Sequence, residues 1–580
     1  MDVKTNLPAI AYFSMEIALE PDIPTYSGGL GVLAGDTLRS AADMHVPIVA
    51  VSLVHRKGYF RQHLDPGGNQ YESPQQWDPA QLTATDAKVD VLLEGRQVAV
   101  RAWQYTVRGH TGGIVPVYLL DTDLPENSPW DRGLTDHLYG GDDHYRLCQE
   151  LLLGIGGLEI LRKLGHDVKR YHMNEGHSAL LALGLLERRL AQSFAGRVKK
   201  GDIDGVRRAC IFTTHTPVPA GHDQFNRQLA EQVLGPERTE LLTEAQAWHG
   251  DVLNMTYLAL RFSGYVNGVA MKHGEVSRGM FPTYDISAIT NGVHAGTWVS
   301  DPFVELFDRF IPEWRNDNNY LRYAISVPPE EIRKSHQTAK VQLFDRIRER
   351  HGVQLDPEVL TLGFARRAST YKRADLIFRD GERLQAISRK TGPIQIVYGG
   401  KAHPRDEGGK SLIRRVFSGA SAVSQSIRCV YVENYDMHWG KLITSGVDVW
   451  VNNPMRPQEA SGTSGMKAAL NGVPSFSVLD GWWIEGHIEG VTGWSIGGLE
   501  PTEDPAAELA TLYDKLEREI VPMFYGRPQR FTEVMRSAIA FNGSFFNTQR
   551  MVSQYVENAY LQRGENRPRP AEAPVPGGQS

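Results

Sequence analysis

The chain has 580 residues, 41% hydrophobic and 22% charged, with 57 Gly and 32 Pro. Those proportions exclude a fibrous, collagen-like or wholly disordered protein and suit a globular one of roughly two to four domains. Lys and Arg number 62 against 68 Asp and Glu, a net charge of −6, which lacks the basic excess that a phosphate backbone demands and argues against nucleic acid as partner.

Three cysteines, Cys148, Cys210 and Cys429, stand far apart with no CxxC spacing, so neither a disulfide framework nor a structural zinc site is expected. The first residues lack the apolar run of a secretory leader, and no apolar stretch reaches the ~18 residues of a membrane span. A reducing, cytoplasmic setting without membrane attachment is the expectation.

In chain order, short β-rich runs such as IAYFSM, VPIVAVSLV, ACIFTTHT, VLTLGFA, IQIVYGG, IRCVYVENY and VDVWVNN alternate with helical stretches near 32–44, 147–163 and 178–190. That alternation predicts an α/β fold with parallel sheets flanked by helices. Residues 89–120 instead read as antiparallel strands, a β-rich insertion in the first domain. A boundary near Trp298 separates a first domain, 1–298, from a second, 299–563, and residues 564–580, rich in Pro and Gly with no aromatic, Leu or Ile, read as a disordered tail. Two such lobes place the expected ligand site in a cleft beyond strand ends.

Five clusters fall at these strand ends. The first, TYSGGLGVLAGD, sets Gly28, Gly29 and Gly31 before a helix, where backbone amides cradle an anion or the glycines merely allow close packing. YHMNEGHSALL, with His172, Asn174, Glu175 and His177, and FTTHTPVPAGHDQF, with His215, His222 and Asp223, lack the HExxH metal spacing. They suit recognition of a polyol better than of a metal ion. LGFARRASTYKRADLIF gathers Arg366, Arg367, Lys372, Arg373 and Arg379, of which two or three could converge on a phosphate unless they form a solvated helix face.

The fifth, RPQEASGTSGMKAALNGVPSFSVLDGWWIEG, starts a helix at Ser461, Gly462 and Thr463 and buries Lys467 in an uncharged run. Desolvation there favours the neutral amine and suits it to Schiff-base chemistry, although a lone lysine is more commonly structural. Glu459 could receive sugar hydroxyls or cap the helix, and Trp482 and Trp483 could stack on sugar or fill the core.

EASGTSGMKAALNG resembles the cofactor-lysine segment of the α-glucan (glycogen, starch, maltodextrin) phosphorylases. YFSMEIAL with SGGLGVLAGD, NEGHSALL, TTHTPVPAGHD, TNGVH, RRASTYKR, YGGKAHP and VENYDMHWGKLI resemble that family's segments in order, over roughly residues 8–560. Length and the GWWIEG segment are most similar to the compact bacterial and archaeal branch. The resemblance implies two Rossmann-like domains facing a cleft in a GT-B arrangement, with a C-terminal helix returning to the first domain. It implies reversible phosphorolysis of terminal α-1,4-glucosyl units to α-D-glucose 1-phosphate with retention, and pyridoxal 5′-phosphate bound to Lys467 as an imine.

By the same resemblance Gly28, Gly29, Tyr435 and Thr463 lie by the cofactor, and Arg367 and Lys372 hold the phosphates. His177, His215, Asn291, Glu459, Ser461 and Gly462 contact the transferred glucose. Asp436, where the long enzymes have a basic residue, Arg366, where they have lysine, and Ser464 and Gly465, for glycine and asparagine, depart from the pattern. The long N-terminal extension that regulates animal enzymes is absent, so no such control is expected. No oligomer interface carries over, and a homo-oligomer stays open. A nucleotide-sugar glycosyltransferase of the GT-B type and a silent glucan-binding relative are the alternatives, which cofactor binding at Lys467 would separate.

Overall fold

A computed structural model describes residues 7–193, 197–498 and 505–561; the 564–580 tail lies outside the described residues. The chain divides into two compact units. Of the described residues, the first comprises those up to Tyr59, those within Gln75–Thr290 and those from Met551 to Leu561. The second comprises Phe60–Pro74 and Asn291–Arg550.

The first unit is built on a nine-stranded sheet: β1 (Ile10–Ser14), β2 (Ile48–Leu53), β3 (Thr83–Leu93), β4 (Arg96–Arg108), β5 (Ile114–Asp121), β6 (Arg170–Asn174), β7 (Cys210–Thr213), β8 (Tyr265–Gly268) and β9 (Ser287–Ala288). Their order is β9-β8-β7-β6-β1-β2-β5-β4-β3. From β9 to β5 all pairings are parallel. The inner strands are buried on both faces, as continuous apolar runs require. Along β1 the residues alternate between two cores: Ala11 and Phe13 pack on one side, Ile10 and Tyr12 on the other.

Strand β5 runs parallel to β2 and antiparallel to β4, which is itself antiparallel to β3. The antiparallel strands therefore extend the edge of the main sheet. The segment from Met551 onward closes one face through Met551, Val552, Tyr555 and Tyr560. Buried hydrogen bonds tie it there: Tyr560 Oη lies 2.8 Å from His172 Nδ1, and Asn267 Nδ2 donates to Tyr555 Oη at 3.0 Å.

The second unit holds six parallel strands: β10 (Leu360–Ala365), β11 (Ile394–Gly399), β12 (Ile427–Val432), β13 (Val449–Asn452), β14 (Ser475–Val478) and β15 (Gly493–Ile496). Their order, β12-β11-β10-β13-β14-β15, is the doubly wound nucleotide-fold order with its switch point between β10 and β13. A hairpin of Arg61–Leu64 and Gln70–Ser73 docks on loops at the strand ends: Gln62 exchanges hydrogen bonds with Asn434, and Gln70 with Ala402. Gly400 sits there at φ +140°, where a Cβ would come 1.9 Å from the Arg366 carbonyl, so only glycine lets these two loops meet. No helix among the described residues is long and apolar enough to cross a membrane.

Candidate active site

In open α/β sheets the loops beyond the carboxyl ends of the two switch-point strands diverge and leave a crevice. In the second unit these are the loops after β10 and β13, and hydrogen bonds lace them together. Arg373 donates to the carbonyls of Asn453 at 2.9 Å and Pro454 at 2.7 Å, Asn453 Nδ2 donates to the Arg373 carbonyl at 2.5 Å, and Met455 N donates to the Tyr371 carbonyl at 2.8 Å.

The lacing brings three charges together. Lys372 Nζ donates to Glu459 Oε1 at 2.9 Å and Oε2 at 2.7 Å, and Arg366 Nη2 donates to the same Oε2 at 2.7 Å. Lys372 and Glu459 are 5% and 7% exposed. Burial alone would raise the Glu459 carboxyl, but Arg366 and Lys372 hold it at about 2. Arg366 keeps two buried donors, Nε and Nη1, without a partner among the described residues.

The Glu459 amide donates to Asp480 Oδ2 and the Gly481 amide to Asp480 Oδ1, each at 2.9 Å. Burial lifts Asp480 to about 6, against those bonds and with help from the Glu459 charge. Gly481, at φ +55°, lies so close to the Ser461 carbonyl that a Cβ would stand 2.3 Å from it. Ser461 Oγ is buried and unpartnered among the described residues.

Lys467, 7% exposed, projects from the Ser464–Leu470 helix with Nζ 3.5 Å from the centroid of the Trp298 ring. Asn471 fixes the pair, since its Nδ2 donates to both the Trp298 and Lys467 carbonyls at 2.9 Å and its Oδ1 accepts from Ser300 N at 2.8 Å. Gly440 fits between Tyr435 and Trp298: a Cβ there would lie 3.0 Å from Tyr435 Oη and 3.4 Å from the indole. Tyr435, Trp298 and Lys467 thus share one corner. Asp436 turns its carboxylate to Trp439 N at 2.9 Å and caps the helix Met437–Gly446.

In the first unit the switch point lies between β1 and β6. After β1, Glu16 Oε2 accepts from Ser27 N at 2.5 Å and Gly28 N at 3.2 Å, while Oε1 accepts from Tyr139 Oη at 2.9 Å. This sets the glycine turn ahead of the helix Gly29–Asp43, and a Cβ at Gly28 or Gly29 would meet nothing within 4 Å.

After β6, Asn174 Oδ1 lies 2.7 Å from His215 Nε2, beyond the end of β7. Glu175, at φ +72°, accepts from Gly176 N at 3.1 Å, His215 N at 2.7 Å and Thr216 Oγ1 at 3.0 Å. Burial drives His215 down to about 3, with neighbouring histidines adding to the effect. His177 Nε2 lies 3.4 Å from Asp223 Oδ2, which Arg146 also holds at 2.8 Å. Burial and Arg146 lower His177 to about 4. Both imidazoles are neutral at ordinary pH.

A family model described as carbohydrate phosphorylase matches residues 218–492. The chain is 40% identical to the maltodextrin phosphorylase of Thermococcus litoralis over 608 aligned residues, 96% of this chain and 71% of that protein. It is 37% identical to the glycogen phosphorylase of Mycobacterium tuberculosis (97% and 72%) and 34% identical to that of Aquifex aeolicus (95% and 86%). The chain belongs to the carbohydrate phosphorylase family.

In this phosphorylase the cation cluster does not act as a block. Lys372 and Arg366 meet on Glu459, Arg373 braces the loop and ends 2.7 Å from Glu508, and Arg367 and Arg379 are exposed. Glu459 does not cap the following helix, whose Thr463 cap makes no side-chain bond. Asn291 Oδ1 is buried and unpartnered among the described residues. Trp482 and Trp483, 2% and 0% exposed, fill the core and offer no stacking platform for sugar.

Sequence reading missed Glu16, Arg146, Trp298 and Asn471. Glu16 left one signal, a lone charge in the apolar run YFSMEIAL; Arg146 and Asn471 reach the site through partners distant in sequence, Asp223 and Trp298.

Proposed function

We propose that this chain is an α-glucan phosphorylase in which inorganic phosphate cleaves the terminal α-1,4-glucosyl unit of a non-reducing end, giving α-D-glucose 1-phosphate with retained configuration. The observation that carries the reading is a buried amine, Lys467 against Trp298, in the same α/β unit as a cation pair, buried Lys372 and half-buried Arg366, at the sheet's switch point. The names of the maltodextrin and glycogen phosphorylases among its relatives support it.

Family members generally depend on pyridoxal 5′-phosphate, and the residues present fit that group. It needs an amine for its aldehyde and donors for its phosphate; Lys467 offers the first and the unpartnered Arg366 Nε and Nη1 the second. Lys467, Thr463, Tyr435 and Lys372 would hold it, with Gly28 and Gly29. When bound, it supplies a phosphate group that exchanges a proton with its neighbour.

Arg367 and Lys372 bind the substrate phosphate and make a second dianion tolerable nearby, and their donors stabilise charge in the transition state. Glu459, held ionised at about 2, is unable to serve as the acid, and neutral His215, fixed by Asn174, orients sugar rather than protonating it. The glycosidic oxygen therefore takes its proton from the substrate phosphate, which then attacks the oxocarbenium-like carbon from the same face. His177, Asn291, Ser461 and Gly462 orient the sugar hydroxyls. Both units serve one reaction in this reading, the GT-B organisation of the resemblance, and the three free cysteines support a reducing, cytoplasmic setting.

The test is a near-ultraviolet and visible spectrum of the purified protein before and after borohydride, with peptide mapping and an assay for glucose 1-phosphate release. A reducible band mapping to Lys467, lost together with phosphorolysis in Lys467→Ala, is expected. Phosphorolysis surviving in Lys467→Ala refutes the reading.

A further inference from the structure

Gln62, in the hairpin of the second unit, is 0% exposed and spends its side chain on loops far along the chain. Its Nε2 donates to the Gly400 carbonyl and to Gln70 Oε1, each at 2.9 Å, its Oε1 accepts from Asn434 N at 3.0 Å, and its backbone amide donates to Asn434 Oδ1 at 3.1 Å. Gln70 continues the frame: its Oε1 accepts from Ala402 N and its Nε2 donates to the Ala402 carbonyl, each at 2.9 Å. Neither amide tolerates a flip, which would set N–H against N–H and carbonyl against carbonyl at these loops. Burying such groups is costly unless they are satisfied, and here loop backbone satisfies them.

The two loops that Gln62 joins adjoin opposite ends of the candidate cofactor site. After β11, Gly400 packs on the Arg366 carbonyl, Arg366 N donates to the Gly399 carbonyl at 3.1 Å and Ala368 N to the Lys401 carbonyl at 2.9 Å. The 399–402 loop therefore fixes the base of Arg366, whose Nε and Nη1 are buried without a partner among the described residues. After β12, Asn434 adopts φ +56°, a left-handed turn that Gln62 holds by both its backbone amide and its side chain. Tyr435 follows it into the corner shared with Trp298 and Lys467.

We propose that Gln62 is a positioning residue that sets the spacing between the phosphate donors of Arg366 and the amine end of the site at Tyr435 and Lys467, an inference that rests on the phosphorylase reading. A ligand carrying both an aldehyde and a phosphate has to meet the two ends at once and is sensitive to their spacing, whereas a ligand with the aldehyde alone is not.

Equilibrium dialysis of the full chain against pyridoxal 5′-phosphate and, separately, against pyridoxal, which lacks the phosphate, reads this without turnover. Gln62→Met, of similar length but without the amide, is expected to weaken pyridoxal 5′-phosphate binding about tenfold, the lower end of what loss of an outer-shell hydrogen bond costs at bound metals, and to leave pyridoxal within about twofold of wild type. Equal weakening of both compounds, or of neither, overturns the proposal. Gln62→Asn keeps the amide but is one methylene too short to bridge both loops. It carries the same expectation should Gln62→Met not fold, and wild-type affinity in it counts against the proposal.

Asp65→Ala separates positioning from stability. The Asp65 carboxylate accepts from Gly67 N at 2.8 Å and Asn69 N at 2.9 Å, so its loss loosens the turn of the same hairpin while leaving the Gln62 bonds in place. A lower unfolding temperature with both affinities kept is expected; a loss of pyridoxal 5′-phosphate affinity matching that of Gln62→Met would assign the effect to hairpin stability and overturn the role of Gln62. A wild type that binds neither compound at Lys467 rejects the phosphorylase reading itself, whereas a wild type that binds pyridoxal 5′-phosphate no better than Gln62→Met rejects only the spacing role.

Discussion

Asp448 offers a sharp test of how the second unit holds its switch point open. Its carboxylate, 2% exposed, accepts from Lys340 Nζ at 2.7 Å, His336 Nε2 at 2.9 Å and Thr361 N at 2.7 Å, and its amide donates to the Thr361 carbonyl at 2.9 Å. The helix Pro329–His351 is thereby clamped to the starts of β10 and β13, the two strands whose far ends carry Arg366, Lys372 and Glu459. Asp448→Asn removes the counter-charge of an ammonium that is 1% exposed, and breaking a buried pair from one side costs about 3–5 kcal/mol.

At ~2.1 cal/mol/K per residue over the roughly 275 residues of the second unit, a loss of about 4 kcal/mol lowers its unfolding temperature by about 7 °C. The double variant Asp448→Asn, Lys340→Met replaces the pair by a neutral one and is expected to recover at least half of that loss. Calorimetric melting of the four proteins of this cycle is the assay. A double variant as unstable as the two single losses combined would show that the cost lies in packing or hydrogen bonds rather than in the stranded charge, and would refute the reasoning.

Two further outcomes follow from the site. Gly29→Ala adds a methyl where nothing lies within 4 Å, at the first position of the helix Gly29–Asp43; it should stabilise the fold by about 0.5–1 kcal/mol while weakening phosphate use, read by urea unfolding beside phosphorolysis rates. Matched losses of stability and activity would assign the glycine to packing. Asp480, raised to about 6 in the fold from an ordinary 3.8, binds its proton more tightly folded than unfolded. Its contribution is full below pH 3.8 and lost as pH rises through 6. Asp480→Asn should therefore flatten the stability change between pH 4.5 and 7.5, and an unchanged slope by chemical unfolding at the two pH values would reject that assignment.

Much of both sheets is legible in the sequence because their strands are buried on both faces and must be continuous apolar runs, which IAYFS, LTLGFA and IQIVYG display. The short β14 and β15, SFSV and GWSI, give no such signal. The hairpin near residue 62 was equally hidden, since what joins it to the second unit includes Gln62 and Gln70 reaching loops more than three hundred residues away. Arg366 and Arg367 are adjacent and chemically alike. In the fold, with Arg373 lacing its loop to Asn453 and Pro454, Arg366 turns to Glu459 while Arg367 is exposed.

The sequence by itself determined the α/β alternation, the strand-end position of every candidate cluster and the family, because periodicity and local motifs are properties of neighbouring residues. Tertiary structure alone decided which cations share a carboxylate, that Trp298 lies under the Lys467 amine and that Trp482 and Trp483 are core. Those facts depend on loops from distant strands meeting at a switch point, where burial and opposed charges are set by residues no local pattern connects.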